Sequence, residues 1–415
     1  MSRYGCIGKK LGHSFSKEIH ARLADYEYEL IELDEQEIEP FFDKREFNAL
    51  NVTIPYKQTV IKLLDQISGE AARIGAVNTV VNKNGVLYGF NTDYYGMKAL
   101  IDRLGLELNG KKVLVLGTGG TSKTACVLAS DLGASSVLTV SRTAGEGKIT
   151  YEEAVRNHSD ASFIINTTPS GMYPDCEGRP IDISHFNSLL GVVDAVYNPL
   201  RTNLVLDARK RGIKAEGGLY MLVMQAVFAI EHFLDKKIDL SLAENVFKEL
   251  LAVKENIVLT GMPGSGKSTV GRLLDLKGFS FADSDEEIVK RCNCSIRELI
   301  EKNGEGHFRG IEAEVIKELS SNVKIVISTG GGAVLNKENI TRLKRNGRIF
   351  FINASLERLK ATEDRPLSNT EDKLKSLYDE RIGIYLSTAD EVIEDSALPE
   401  EIAEQILKKR TEHLA

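Results

Sequence analysis

The chain runs to 415 residues, 42% of them hydrophobic and 27% charged, with a formal net charge of −7. That length exceeds what one hydrophobic core supports and suits about two or three domains, and the composition excludes disordered, collagen-like and disulfide-scaffold chains. The acidic balance excludes a general nucleic-acid binder, which needs surplus Lys and Arg, so anionic ligands must be held by local positive sites.

Cys6, Cys126, Cys176, Cys292 and Cys294 are odd in number and lack zinc-ligand spacing, which points to a reducing compartment. The opening residues set charge too close to the apolar ones for a secretion signal. The most apolar stretch, 219–230, contains Gln225 and is too short to cross a bilayer; a buried helix is expected there. The expectation is a cytoplasmic protein, monomer or homodimer, that meets neither nucleic acid nor membrane.

In chain order, short apolar runs alternate with helical patterns, the mark of α/β folds with parallel sheets covered by helices. The first half offers strands at 4–7, 30–33, 49–53, 113–116, 137–140, 163–166 and 192–196, enough for two sheets. Asn84-Gly85, between apolar runs 77–81 and 86–88, has the residues of a two-residue hairpin turn, whose central positions need positive φ. A charged helical segment at 242–254 leads into a new apolar strand at 257–260, placing a boundary near Val253. No Gly/Ser-rich or Pro-rich connector separates the halves.

Two phosphate-binding signals stand out. Lys112 to Ala125 reads as an apolar strand, a glycine turn with Gly117, Gly119 and Gly120, and a helix. Glycines let the backbone approach a pyrophosphate, which sits on the amides of the helix N-terminus. The next strand ends at Ser141-Arg142-Thr143, where an NAD-binding fold places an acid for the ribose 2′-hydroxyl; an arginine there suits a 2′-phosphate and favours NADP(H). In the second half Gly261, Gly264, Ser265, Gly266, Lys267, Ser268 and Thr269 form a complete P-loop after an apolar strand. Its amides cradle phosphates, Lys267 reaches the β- and γ-phosphates of ATP, and the Ser268 hydroxyl ligates Mg2+.

Further polar groups interrupt apolar segments. Ser14 and Ser16 space two hydroxyls at a helix start, which serves a carboxylate or equally a helix cap. Asn51 to Lys57, Gly75 to Thr79 and Gly89 to Asp93 add Thr53, Lys57, Asn78 and Asp93. With these motifs in order from Tyr4 to about Leu234, the first half resembles the shikimate dehydrogenase family. The resemblance implies that Ser14 and Ser16 hold the substrate carboxylate, that Thr53, Asn78, Asp93 and Gln225 hold ring hydroxyls, and that Lys57 and Asp93 form the catalytic pair. It also makes 166–172 and 196–202 the loops around the nicotinamide, with Tyr197 touching substrate, and gives Gly117, Gly119, Gly120, Ala125, Ser141, Arg142 and Thr143 to NADP. Reducing a ketone needs a hydride and a proton for the developing alkoxide, and a lysine, ordinarily charged at neutral pH, stabilises that alkoxide. Whether Lys57 or Asp93 moves the proton is left open. Lys10, Lys17, Ser141 and Tyr220 depart from the family pattern without removing a catalytic group.

In the second half, Asp283 and Asp285, the segment from Gly304 to Glu312, Gly330-Gly331-Gly332, Asp364-Arg365 and Arg381 before Tyr385 resemble the shikimate kinase family. The resemblance implies that Asp285, Arg309, Gly331 and Arg381 contact shikimate, that Asp283 positions Mg2+ through water, and that Arg365 belongs to a lid over ATP. Two arginines suit a small carboxylic acid, and an aspartate can aim or deprotonate the attacking hydroxyl. The lid segment is shorter than usual and Gly383 replaces a usual proline.

The expected organisation is a substrate-binding domain (1–102 and 219–252), a Rossmann NADP-binding domain (103–218) and a P-loop kinase domain (253–415). The expected function is two successive steps, NADPH-dependent reduction of 3-dehydroshikimate to shikimate and its ATP-dependent phosphorylation to shikimate 3-phosphate. Two alternatives compete: a metabolite-sensing regulator built on these folds, and an NAD-dependent quinate or shikimate dehydrogenase in the first half. A sensor has no need of Lys57, Asp93, Lys267, Ser268 and Asp285 together.

Overall fold

The computed structural model describes residues 3–12, 15–359, 370–394 and 398–414. The chain divides into two compact units, residues 1–249 and 250–415. Ser14 and Arg365 lie outside the described residues.

Unit one holds two six-stranded sheets. The strands of the first are β1 (Tyr4–Gly8), β2 (Tyr28–Glu32), β3 (Ala49–Val52), β4 (Gln66–Ile67), β5 (Thr79–Lys83) and β6 (Val86–Phe90), in the order β2-β1-β3-β5-β6-β4. The second contains β7 (Lys112–Leu116), β8 (Ser136–Ser141), β9 (Lys148–Thr150), β10 (Phe163–Asn166), β11 (Gly191–Asp194) and β12 (Lys214–Glu216), in the order β12-β11-β10-β7-β8-β9. All its pairings are parallel. The first sheet is mixed: β5 and β6 form the antiparallel hairpin expected at Asn84-Gly85, and β3–β5 pair antiparallel as well. The hairpin turns at Asn84 and Gly85, whose φ values of 55° and 88° are those a tight two-residue turn demands.

Alternation along the strands explains why the middle residues of β7, β10 and β11 are all apolar. Leu114 and Leu116 enter one core with Ile164 and Val192. Val113 and Val115 enter the core on the opposite face with Phe163, Ile165 and Val193. Successive side chains point to opposite faces of a strand, so a sheet covered on both sides needs every residue apolar. Because β8 and β10 flank β7 on opposite sides, the strand order reverses beside the end of β7, the position at which sheets of this kind bind ligands between their loops.

Unit two has one parallel sheet of β13 (Asn256–Thr260), β14 (Ser280–Asp283), β15 (Ile325–Ser328), β16 (Gly347–Asn353) and β17 (Glu391–Glu394), in the order β14-β15-β13-β16-β17. It too is apolar on both faces: Val258, Ile327 and Phe351 face one core, Ile257, Val326 and Phe350 the other. The ends of β13, β14 and β15 carry the phosphate loop, Asp283 and Ser328. Among the described residues, no helix is long and apolar enough to cross a membrane.

Candidate active sites

In unit one, Lys57 Nζ donates to Asp93 Oδ2 at 2.5 Å, and both side chains are largely buried. Asp93 lies in the first turn of the helix Thr92–Arg103, where free amides and the helix dipole favour a carboxylate. Asn91 caps that helix by accepting from the Tyr94 amide at 3.3 Å and donates to the Ala76 carbonyl at 3.0 Å.

Asn78 is oriented by saturation. Its Oδ1 accepts from the Thr92 amide at 2.7 Å, the Thr79 hydroxyl at 3.0 Å and the Thr92 hydroxyl at 3.2 Å. With the oxygen so used, Nδ2 is the group left to offer a ligand. Behind it, the Tyr28 hydroxyl donates to Asn51 Oδ1 at 2.7 Å, and Asn51 Nδ2 donates to Thr79 at 3.3 Å.

Gln225 approaches because Gly96, one turn beyond Asp93, has no side chain: a Cβ there would stand 2.7 Å from the Met221 carbonyl and 3.0 Å from Gln225 Cβ. Gln225 Nε2 donates to the Leu222 carbonyl at 2.9 Å, leaving the amide oxygen for a ligand. Thr53 follows β3 and packs on Gly8. Ser16 opens the helix Ser16–Leu23, and the adjacent Phe15 ring lies 5.2 Å from that of Tyr197. Burial raises the Tyr197 hydroxyl above its ordinary range. Burial also pushes the Cys6 thiol up to about 12, with the Lys57 charge pulling the other way, and Cys6 in turn acts on Tyr197.

The dinucleotide turn lies beside this group. Gly117 has φ 111°, and a Cβ there would stand 2.8 Å from Thr167 Oγ1, so only glycine lets the turn meet the loop after β10. Gly119 caps the helix Gly120–Asp131, and a Cβ on Gly120 would lie 3.7 Å from Lys57 Cδ. Ala125 is fully buried in the core under that helix, where its size sets how closely helix and sheet pack. The Ser141 hydroxyl donates to the Thr143 carbonyl, shaping the turn after β8. Arg142 is exposed there, has no acidic partner among the described residues, and lies within electrostatic reach of Tyr151.

Asn166 and Asp194 end the paired strands β10 and β11 in register. Asp194 accepts from Asn166 Nδ2 at 2.9 Å, the Val196 amide at 3.0 Å and the Thr202 hydroxyl at 2.6 Å. Burial pushes its carboxyl up to about 6, against the pull of those donors.

In unit two, Lys267, Ser268, Thr269, Gly264, Gly266, Asp283, Asp285, Arg309, Gly331 and Arg381 line one cavity of about 410 Å3. Donor-side and acceptor-side residues therefore face the same space. Gly266, at φ 88°, ends the loop and caps the helix Lys267–Asp275. Lys267 Nζ donates to the carbonyls of Gly261 and Met262, each at 2.9 Å, holding the ammonium in the loop. The Ser265 hydroxyl is buried without a partner among the described residues. Ser268 Oγ donates to Asp283 Oδ2 at 2.6 Å, while Asp283 Oδ1 caps the helix Ser284–Cys292 through the amides of Asp285 and Glu286.

The part of the cavity holding the residues expected to contact shikimate is built on the triple glycine. A Cβ on Gly330 would stand 2.5 Å from Asp285 Oδ1, one on Gly331 2.9 Å from Pro263 Cδ, and one on Gly332 2.4 Å from the Arg309 guanidinium. Arg309 pairs with Glu312 at 2.9 Å and Glu305 at 3.0 Å. Burial raises the Glu312 carboxyl, opposed by the Arg309 charge. The sequence reading gave Glu312 no role; its signal was the i,i+3 spacing from Arg309. Arg381 is buried, with Nε lacking a hydrogen-bond partner among the described residues. Ile296, Ile300, Phe308 and Leu377 supply apolar wall.

Comparison with known proteins agrees with both halves. A family model for the shikimate dehydrogenase substrate binding domain matches residues 6–80, and one for shikimate kinase matches residues 263–411. A shikimate dehydrogenase (NADP(+)) of Clostridium perfringens is 37% identical over 268 residues, covering 60% of this chain and 98% of the relative. A chorismate mutase/shikimate 5-dehydrogenase fusion protein from Clostridium acetobutylicum matches with a TM-score of 0.58 at 35% identity, over 60% of this chain and 97% of that one. The shikimate 5-dehydrogenase of Thermus thermophilus, solved with NADP(H) and shikimate, matches with a TM-score of 0.55 at 29% identity, over 60% of this chain and 99% of that one.

Proposed function

The chain belongs to the shikimate dehydrogenase family through its first unit and carries a shikimate kinase domain in its second; on that premise we propose that it reduces 3-dehydroshikimate with NADPH and then phosphorylates the shikimate formed. Residues 1–102 and 219–252 bind the first substrate, 103–218 bind NADP, and 253–415 carry out the phosphorylation. The observation that carries this reading is that each unit sets a nucleotide turn directly beside polar residues suited to the matching substrate: Gly120 against Lys57, and Lys267 in one cavity with Asp285, Arg309 and Arg381.

In the first step NADPH supplies the hydride to the ketone carbon. Lys57 stabilises the oxygen that becomes negative, the Lys57–Asp93 pair delivers the proton that completes the alcohol, and Asp93 fixes the ammonium and accepts a hydrogen bond from a ring hydroxyl. Asn78, Gln225 and Thr53 hold the other hydroxyls, while Ser16 and Ser14 receive the carboxylate and Tyr197 covers the ring. Arg142 with Thr143 selects the 2′-phosphate by charge. The NADP(+) designation of the relatives supports this cofactor over NAD.

In the second step Arg309 and Arg381 hold the shikimate carboxylate, and Asp285 orients the attacking hydroxyl and can take its proton. The P-loop amides and Lys267 bind the β- and γ-phosphates, so the reaction is driven by positioning and charge neutralisation. The Ser268 hydroxyl and Asp283 carboxylate form an oxygen-only pair, and among the described residues no acid, His or Cys cluster could hold a metal alone. That donor set fits Mg2+, which takes few protein oxygens and fills its shell with phosphate and water; when bound it neutralises phosphate charge.

The test follows NADPH absorbance after 3-dehydroshikimate is added to the purified chain, then looks for shikimate 3-phosphate by mass spectrometry once ATP and Mg2+ are supplied. Oxidation of NADPH followed by phosphorylated product is expected. No oxidation refutes the first assignment, and shikimate accumulating unphosphorylated refutes the second.

A further inference from the structure

We propose that Asp194, acting through Asn166 and Thr202, is a positioning residue that clasps the two loops on the nicotinamide side of the dehydrogenase site and fixes the separation of cofactor turn and substrate cover. The inference rests on the dehydrogenase reading given above. Asp194, Asn166 and Thr202 are all fully buried.

Each donor to Asp194 belongs to a different part of the clasp. Asn166 Nδ2 comes from the end of β10, the Val196 amide from the start of the loop after β11, and the Thr202 hydroxyl from that loop's far end, where it also caps the helix Asn203–Lys210. The order then spreads outward. Asn166 Oδ1 accepts from the Thr168 amide at 3.0 Å and the Thr168 hydroxyl at 2.7 Å, setting the first loop, while Thr167 lies against Gly117 of the dinucleotide turn. On the other side, Val196 precedes Tyr197, whose ring meets Phe15 beside Ser16. The Tyr173 amide donates to the Asn198 carbonyl at 2.9 Å, tying the loops again further out.

Three donors converging on one buried group call for a side chain that only accepts, which an ionised carboxylate does and an amide does not. Burial and the donors work in opposite directions on this carboxyl, and at assay pH above neutrality it is ionised. A side chain that served only to stabilise the fold would not need to link Gly117 to Tyr197. Because hydride transfer is sensitive to displacements of about 1 Å, the clasp bears on turnover more than on binding.

Two variants test this in the full chain: Asp194→Asn, which keeps the shape and the Thr202 cap, and Thr202→Val, which removes the hydroxyl and is rescued by Thr202→Ser. Reduction kinetics are measured with NADPH and with NADPH deuterated at the transferred position, alongside deuterium uptake in peptides spanning 167–172 and 196–201. Phosphorylation of added shikimate by the same preparation reports intact protein. Asp194→Asn and Thr202→Val are expected to lower kcat about tenfold to a hundredfold, raise the isotope effect on kcat, leave phosphorylation unchanged and speed exchange in both loops together. Thr202→Ser should return kcat to within about threefold of the parent, since it restores the one hydroxyl the clasp uses. A loss of thermal stability with kcat and isotope effect unchanged, or faster exchange in only the substituted loop, overturns the proposal. A parent chain that reduces no 3-dehydroshikimate refutes the dehydrogenase reading instead, and the exchange data still decide the clasp.

Discussion

Gly120 and Lys57 are neighbours: a Cβ on the glycine would stand 3.7 Å from Lys57 Cδ and 3.9 Å from Lys57 Cβ. The turn proposed to receive the pyrophosphate therefore rests on the stem of the residue proposed to serve the ketone. A single methyl fits at ordinary contact distance, so Gly120→Ala should leave NADPH-dependent reduction within about threefold of the parent. Gly120→Leu drives a branched chain into both the lysine stem and the pyrophosphate space. Reduction should then fall about a hundredfold while phosphorylation is unaffected, as steady-state assays of the two reactions on one preparation would show. Equal activity of the two variants would mean that cofactor and lysine do not meet here.

The two chemistries should separate cleanly. Lys57→Ala removes the cation beside the developing alkoxide and leaves Asp93, 10% exposed, without its partner. We expect reduction to fall about a hundredfold to a thousandfold, with phosphorylation of added shikimate intact. Lys267→Ala, which removes the ammonium held by the P-loop carbonyls, should do the reverse. Loss of both activities in either variant would show that the units depend on one another.

The parts of this molecule that could be read from its sequence are those where local pattern and chemistry coincide. The runs 113–116 and 163–165 are apolar at every position because both faces of their sheet are covered, and Asn84-Gly85 can make only a narrow set of turns. The P-loop was legible because backbone geometry demands glycine at fixed offsets. Strands β4, β9 and β12 were not foreseen, since two or three residues cannot show a period of two. Asp194 escaped notice for another reason: it joins groups eight and twenty-eight positions away, and its role exists only once β10 and β11 pair.

The proposed cofactor selection rests on Arg142, an exposed side chain that has no competing acid among the described residues. Arg142→Ala should raise KM for NADPH about tenfold to a hundredfold, the range of a charge-assisted hydrogen bond of roughly 1.5–3 kcal/mol. KM for NADH should hardly move, because NADH lacks the 2′-phosphate. Kinetics with both cofactors check this; equal use of NADH and NADPH by the parent would remove Arg142 from the selection.

His20 makes the first unit acid-sensitive through a group outside the chemistry. Its ring is fully buried and stacks on Tyr28 at 3.9 Å, Nδ1 meets the Tyr26 hydroxyl at 2.7 Å, and Nε2 has no partner among the described residues. Burial lowers the imidazole from its ordinary 6.5 to about 3. Below pH 6.5 the unfolded chain binds a proton that the folded one refuses, so the stability supplied by this site is present above that pH and falls away towards pH 3, by about 1.4 kcal/mol per pH unit. Asp194 acts with the opposite sign: its carboxyl is raised from 3.8 to about 6, so the folded state gains relative stability as pH falls through that window. The wild-type profile alone therefore mixes two slopes, and the difference from a variant is what isolates His20. His20→Phe keeps the stacking, gives up the Tyr26 hydrogen bond and cannot titrate. Urea unfolding from about pH 7.5 to about pH 4.5, followed by deuterium uptake in peptides of β1 and β3, should show the variant less stable than the parent at the upper end and overtaking it as pH falls. Parallel profiles across that range would mean that the folded protein accommodates the imidazolium, and that the pocket opens to water around it.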